Sequence, residues 1–156
     1  MTEIELSLRQ KTLLLFLDSR KAINPVRVQK GMFLFAMKTP ELWLPREGRY
    51  DFEPRDYGAY SSAIRSDLNT LTEKDYIYTV QMLQGESWNW WMLTDKGFEL
   101  LARFGDDIDH RAIEYLQRLR KFVDGLSFTQ LLSAVYKEYP EYAVNSVFRG
   151  TGSGSK

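Results

Sequence analysis

The sequence predicts a mostly α-helical fold with one small β-hairpin. Three observations carry that reading. Apolar residues recur at helical spacing in separate stretches, as in Phe128, Leu131, Leu132, Val135 and Tyr136. Two aromatic and β-branched runs, YIYTVQM (76–82) and WNWWML (88–93), flank LQGES, which has the composition of a hairpin loop. Starts such as Asn24-Pro25, Thr94-Asp95 and Ser127, and stops such as Thr39-Pro40 and Tyr139-Pro140, fall between the periodic stretches.

A first helix is expected over residues 3–20, with Leu6, Leu13, Leu14 and Leu17 on one face. Asn24 then caps a helix that begins at Pro25, where a missing N–H costs nothing, and runs to about Lys38. Val28, Met32, Phe35 and Ala36 are its inward residues. Pro40 disfavours helical geometry at Thr39 and ends it. Residues 40–57 are rich in Pro, Gly and aromatics and read as an irregular connection, with a short extended piece near Tyr50, Phe52 and Pro54 and with Trp43 pinning it to the core. After a turn at Tyr57-Gly58, a third helix carries Tyr60, Ile64, Leu68 and Leu71 as one buried stripe. Glu73-Lys74-Asp75 turns into the hairpin. A fourth helix runs from Thr94-Asp95 to about Phe104, with Phe98, Leu101 and Ala102 inward. A fifth spans 108–124 on Ala112, Leu116, Leu119 and Val123, and Ser127 caps a sixth.

Helix, helix, helix, hairpin is the plan of a winged helix, so the expected fold is a winged-helix-like core plus extra C-terminal helices. One domain is expected over residues 1–149. Residues 150–156 (GTGSGSK) read as a flexible tail, an appended remnant or disordered end.

Composition narrows function. The chain has 156 residues, with 21 basic and 21 acidic side chains, so it lacks the basic excess that drives nonspecific DNA binding. It has no cysteine, which removes disulfides, thiolate nucleophiles and Cys-ligated metals. The longest apolar run, Leu13 to Leu17, is far short of the ~20 residues of a membrane helix. No membrane partner and a cytoplasmic location are expected. The one histidine, His110, stands among Asp106, Asp107 and Asp109 at a helix start and reads as part of a cap, since metal or acid–base chemistry needs several convergent groups. No phosphate loop, nucleophile elbow or HExxH pattern occurs. The expectation is a non-enzyme without cofactor or metal.

Binding residues are expected on two elements. Ser62, Arg65, Ser66 and Asn69 form the polar face of the third helix, with side chains able to meet a partner protein or base edges. Asp56, Asp67, Glu73 and Asp75 are expected to offset Arg55, Arg65 and Lys74 there, which makes DNA the alternative rather than the first reading. In the hairpin, Trp88 and Trp90 share one face and Trp91 takes the other, so an exposed indole would be an interface anchor. If DNA binds, Arg27, Lys30, Arg118, Arg120 and Lys121 are the expected phosphate contacts, with Lys38 in the same basic stretch as the first two. A homodimer through the fifth helix is a further expectation, short of a coiled coil.

Several stretches together resemble one family. Tyr57-Gly58-Ala59-Tyr60-Ser61, followed by Leu68, Leu71 and Asp75-Tyr76-Ile77, is similar to the signature of the SocA-like (Panacea) antitoxin domain and the related YwgA-like proteins. Leu93-Thr94-Asp95-Lys96-Gly97 resembles the LT-x-KG that follows the hairpin there. Lys30-Gly31-Met32-Phe33-Leu34 and LLSAVYKEYPEYAVNS (131–146) are similar to its N-terminal and C-terminal patterns. Together these cover most of residues 10–148. Ala59 departs from the family's usual Pro, which is expected to loosen the turn slightly. The resemblance implies a small, mostly helical, non-enzymatic protein that binds a partner protein, such as a cognate toxin, as an antitoxin or proteolytic adaptor. It supplies no catalytic residue.

Overall fold

The computed structural model describes residues 6–81, 89–104, 107–144 and 146. They form six α-helices and two small antiparallel hairpins, a mostly α fold. Helix α1 is Leu8–Phe16. Its start is fixed by a capping box: Ser7 Oγ accepts from Gln10 N, and Gln10 Oε1 accepts from Ser7 N. The helix is thus shorter than the expected 3–20: it starts at Leu8 and ends at Phe16, and residues 3–5 of that expectation lie outside the described residues. Thr12 through Leu17 are all buried, so its second half is covered on every side rather than on one face.

Helix α2, Pro25–Lys38, has the expected bounds, and Asn24 Oδ1 accepts from Arg27 N at 2.9 Å. Val28 through Phe35 are buried, and Ala36 is half-buried. The connection that follows holds a 3-10 turn at Arg46–Gly48 and is organised by one side chain. The Arg49 guanidinium donates to the carbonyls of Ala36, Thr39, Pro40 and Leu44 at 2.7–3.0 Å. That satisfies carbonyls at the end of α2 which the helix cannot. Trp43 packs half-buried against the core under the Arg111 guanidinium.

The extended piece expected near Pro54 is half of a hairpin. Strand β1, Glu53–Arg55, pairs with β2, Gly58–Tyr60, in the register Glu53↔Tyr60. Gly58 has φ +90°, a conformation that glycine adopts without penalty. Ala59 lies in the strand, beyond the turn it was expected to loosen. Helix α3, Ser62–Glu73, buries Ile64, Leu68 and Leu71, while Tyr60 precedes it in β2 and is half-buried. Asp75, at φ 68°, turns the chain into β3, Ile77–Val80. β3 pairs with β4, Trp90–Leu93, from Ile77↔Leu93 to Val80↔Trp90. The loop expected between them lies outside the described residues.

Helix α4, Asp95–Leu101, is shorter than expected, and Ala102 is exposed at its C-terminal cap rather than inward. Thr94 Oγ1 accepts from Gly97 N and donates to Asp75 O. A Cβ on Gly97 would lie 2.2 Å from the Tyr76 carbonyl oxygen. The LT-x-KG stretch thus clamps α4 onto the entrance of the second hairpin. Helix α5, His110–Asp124, buries Ala112, Leu116, Leu119 and Val123 as the spacing predicts. Helix α6, Phe128–Glu138, repeats the capping box with Ser127 and Gln130. It buries Leu131, Leu132 and Val135, while Phe128 is exposed.

A 3-10 turn at Pro140–Ala143 follows. There Tyr139 and Tyr142 meet Phe33 edge-on at 5.1 and 4.7 Å, and Phe52 meets the same ring at 5.3 Å. One cluster of buried residues runs from Leu6 to Val135. No helix among the described residues is long and apolar enough to cross a membrane.

Candidate interaction cleft

The third helix presents its polar face as the spacing predicts: Ser62, Arg65, Ser66 and Asn69 are all exposed. Beside that face, the first turns of α2, the β1–β2 turn, the start of α3 and Phe128 of α6 enclose a cleft of about 460 Å³. A second cleft of about 260 Å³ adjoins it, sharing Pro25, Gln29, Tyr60 and Arg65 and continuing along Leu68 and Asn69 to Trp91. Arg65 therefore stands between two depressions.

Each wall has a local cause. The tight turn at Asp56-Tyr57 pushes Tyr57 outward, 45% exposed, where its ring meets Phe128 edge-on at 5.8 Å. Phe128 is itself 38% exposed, because the first helical residue after the Ser127 cap lies at the rim of the apolar stripe of α6. Arg55 stacks over the Tyr60 ring at 5.0 Å and is paired with Glu53. Gln29 holds the β2–α3 junction with both ends of its amide. Its Nε2 donates to Ser61 O at 3.0 Å, and its Oε1 accepts from Ser61 N at 2.8 Å. Arg65 has no ion-pair partner among the described residues.

Lys30 lines the same cleft and is only 2% exposed. Its ammonium donates to Ala59 O at 2.9 Å. Burial pushes its pKa down to about 7, since leaving water disfavours the charged form. The expectation that Lys30 meets phosphate on the surface is corrected: its charge is inside. Its signal in the sequence is a lysine directly before the apolar run GMFLF (31–35). Sequence reasoning also missed Tyr57 and Phe128 as cleft residues, and the hairpin that aims Tyr57, whose strands are only three residues each.

Other basic residues are likewise committed. Arg120 is 4% exposed and donates to Phe16 O, Lys21 O and Asp124 Oδ2 at 3.1, 2.5 and 2.8 Å. Half-buried Arg27 donates to Val123 O and Leu126 O at 3.1 and 2.7 Å. Neither fits the expected phosphate contact, because each guanidinium closes the interior against backbone carbonyls. Arg118 and Lys121 are exposed on α5. A larger depression of about 600 Å³ beside Lys121 mixes Asp18, Arg120 and Asp124, whose charges compensate one another. Burial raises the Asp18 carboxyl, against the pull of Arg120 and Arg20.

Comparison with known proteins adds no relative: no family model matches the chain, and no curated protein does either.

The electrostatics of the exposed α3 face also differ from expectation. Asp67 turns away from it, accepting from Gln10 Nε2 at 3.0 Å and from Tyr50 Oη at 2.7 Å. Burial, and then the neighbouring Asp67 charge, hold the Tyr50 hydroxyl well above its ordinary range. Asp67 therefore makes no ion pair with Arg65. In the second hairpin, Trp91 packs against the core, and its backbone bridges Ile23 in both directions at 2.9 and 3.1 Å. Trp90 is half-buried opposite Val80, and Trp88 lies outside the described residues. His110 is exposed at the start of α5, where Asp109 is held down to about 2 by donors from the Arg111 side chain and backbone. Among the described residues no three His, Cys, Asp or Glu side chains gather as a metal site.

Proposed function

We propose that this protein is a non-enzymatic, cytoplasmic protein-binding module of the SocA-like antitoxin or adaptor kind. It acts by covering its α3 face and the neighbouring cleft with a partner protein, of which a cognate toxin is one case. The observation that carries this reading is the continuity of the surface. The exposed rings of Tyr57 and Phe128 stand beside Arg65 and run into the polar face of α3. Exposed aromatics beside an arginine are the usual anchors of protein interfaces. The family resemblance supports the same reading, and its LT-x-KG and YPEYA stretches are accounted for by packing rather than chemistry.

The tagged full chain, recovered from cells that make it, is expected to carry a stoichiometric partner. Arg65→Glu and Tyr57→Ala are each expected to lose it while keeping the wild-type melting profile. Full retention of the partner by both variants places the interface elsewhere.

One observation favours a second reading, a winged-helix DNA-binding regulator. With Asp67 turned inward, α3 presents Arg65, Ser62, Ser66 and Asn69 without that carboxylate. Against it, Arg27 and Arg120 are spent on backbone carbonyls and Lys30 is buried, so phosphate contacts at the surface are few. A mobility-shift assay with duplex DNA decides: absence of a complex at both low and physiological salt rejects the regulator.

A further inference from the structure

The cleft between α2, the first hairpin and α6 carries an imbalance of charge and of hydrogen bonding. Lys30, Arg55 and Arg65 line it together with the carboxylate of Asp56, and Arg55 is already paired with Glu53, which leaves two cations against one carboxylate. An ammonium has three donors. That of Lys30 makes one hydrogen bond, to Ala59 O, among the described residues. A buried polar group left short of partners is costly, so an acceptor brought to it from outside gains more than at the surface. A carboxylate also restores the balance of charge. The aromatic wall of Tyr57 and Phe128 stands beside it and matches an apolar or aromatic side chain. The second depression adjoins it on the far side of Arg65, sharing Pro25, Gln29 and Tyr60. That shape fits a through-running chain better than a free small acid or a chain end.

Resting on the protein-binding reading above, we propose that this cleft takes an extended segment of the partner protein that carries an Asp or Glu next to an aromatic residue. The carboxylate enters between Lys30 and Arg65, and the ring packs on Tyr57 and Phe128. Arg55, already paired with Glu53, borders the segment without neutralising it.

The test uses the full chain and two fluorescein-labelled heptapeptides capped at both ends, Gly-Ser-Phe-Glu-Phe-Ser-Gly and its counterpart with Gln for Glu. Fluorescence anisotropy is expected to show the acidic peptide binding at least tenfold more tightly. Lys30→Met is expected to remove that preference, and Tyr57→Ala to weaken both peptides. Arg65→Gln, on the exposed rim, serves the same purpose should Lys30→Met fail to fold. Equal binding of the two peptides, binding of neither, or a preference unchanged in both charge variants overturns the proposal. So does a labelled DNA duplex that binds the wild type at physiological salt and displaces the acidic peptide. The natural partner separates this failure from that of the broader reading. If Arg65→Glu and Tyr57→Ala lose the partner while the peptides show no carboxylate preference, protein binding stands and the acidic segment falls. If neither variant loses the partner, both fall.

Discussion

Lys30 gives the protein a built-in dependence on pH. Its folded pKa of about 7 lies below the ordinary 10.5 of an exposed lysine. Below pH 7 the folded and unfolded forms both carry the proton, and the folded form bears the full cost of a buried charge. Between about 7 and 10.5 the unfolded chain holds a proton that the folded chain has released, so stability rises with pH across that window. The slope approaches about 1.4 kcal/mol per pH unit. Urea unfolding of the wild type at pH 7, 8 and 9 is expected to show this rise. Lys30→Met is expected to flatten it and to be the more stable protein at pH 6. Arg120 is the opposite case, a buried cation each of whose three nitrogens has an acceptor. Arg120→Met leaves Phe16 O, Lys21 O and Asp124 without their donor and is expected to cost about 2–4 kcal/mol in the same assay.

At the scale of elements, the junction between the second hairpin and α4 is held by few atoms. Thr94 caps the helix through Gly97 N, and its hydroxyl reaches Asp75 O, while Tyr76 O accepts from Thr94 N. Thr94→Ala is expected to cost about 1 kcal/mol through the lost cap. Gly97→Ala is expected to cost more, about 1–3 kcal/mol, because the new methyl meets a backbone oxygen that cannot swing aside. Thermal melts of the two variants check the order. Elements of this kind were legible in the sequence, since Asn24-Pro25, Thr94 and Ser127 are local signals that act on the adjacent turn. The first hairpin was not. Its strands are three residues each, too short for an alternation to stand out, and Pro54 inside one of them argues against a strand until it is seen at an edge.

Across the whole molecule, the polar face of α3 could be read from periodicity, and the structure exposes all four residues named for it. The cleft beside that face could not. It joins Lys30, Tyr57, Arg65 and Phe128 from separate elements, and periodicity does not report which faces of different elements meet. The direction of Asp67 could not be read for the same reason. Asp67 is one position from Ser66 along the helix yet points to Gln10 and Tyr50, because one residue is about 100° of rotation. An interface at this cleft predicts local protection. In hydrogen exchange with the partner bound, amides of the β1–β2 turn and the start of α3 are expected to slow, while those in the middle of α5 stay unchanged.

The edge-on packing of Tyr139 and Tyr142 against Phe33 has a consequence in time. Synthesis proceeds from the N-terminus, so α2, the first hairpin and α3 leave the ribosome before α6 and the turn that follows it. Until those arrive, Phe33 lacks two of its aromatic neighbours, and Tyr57 has no Phe128 to stand against. The cleft is therefore completed late, and a nascent chain presents only part of it. A partner that reads the finished cleft would pass over nascent chains from which α6 has not yet emerged.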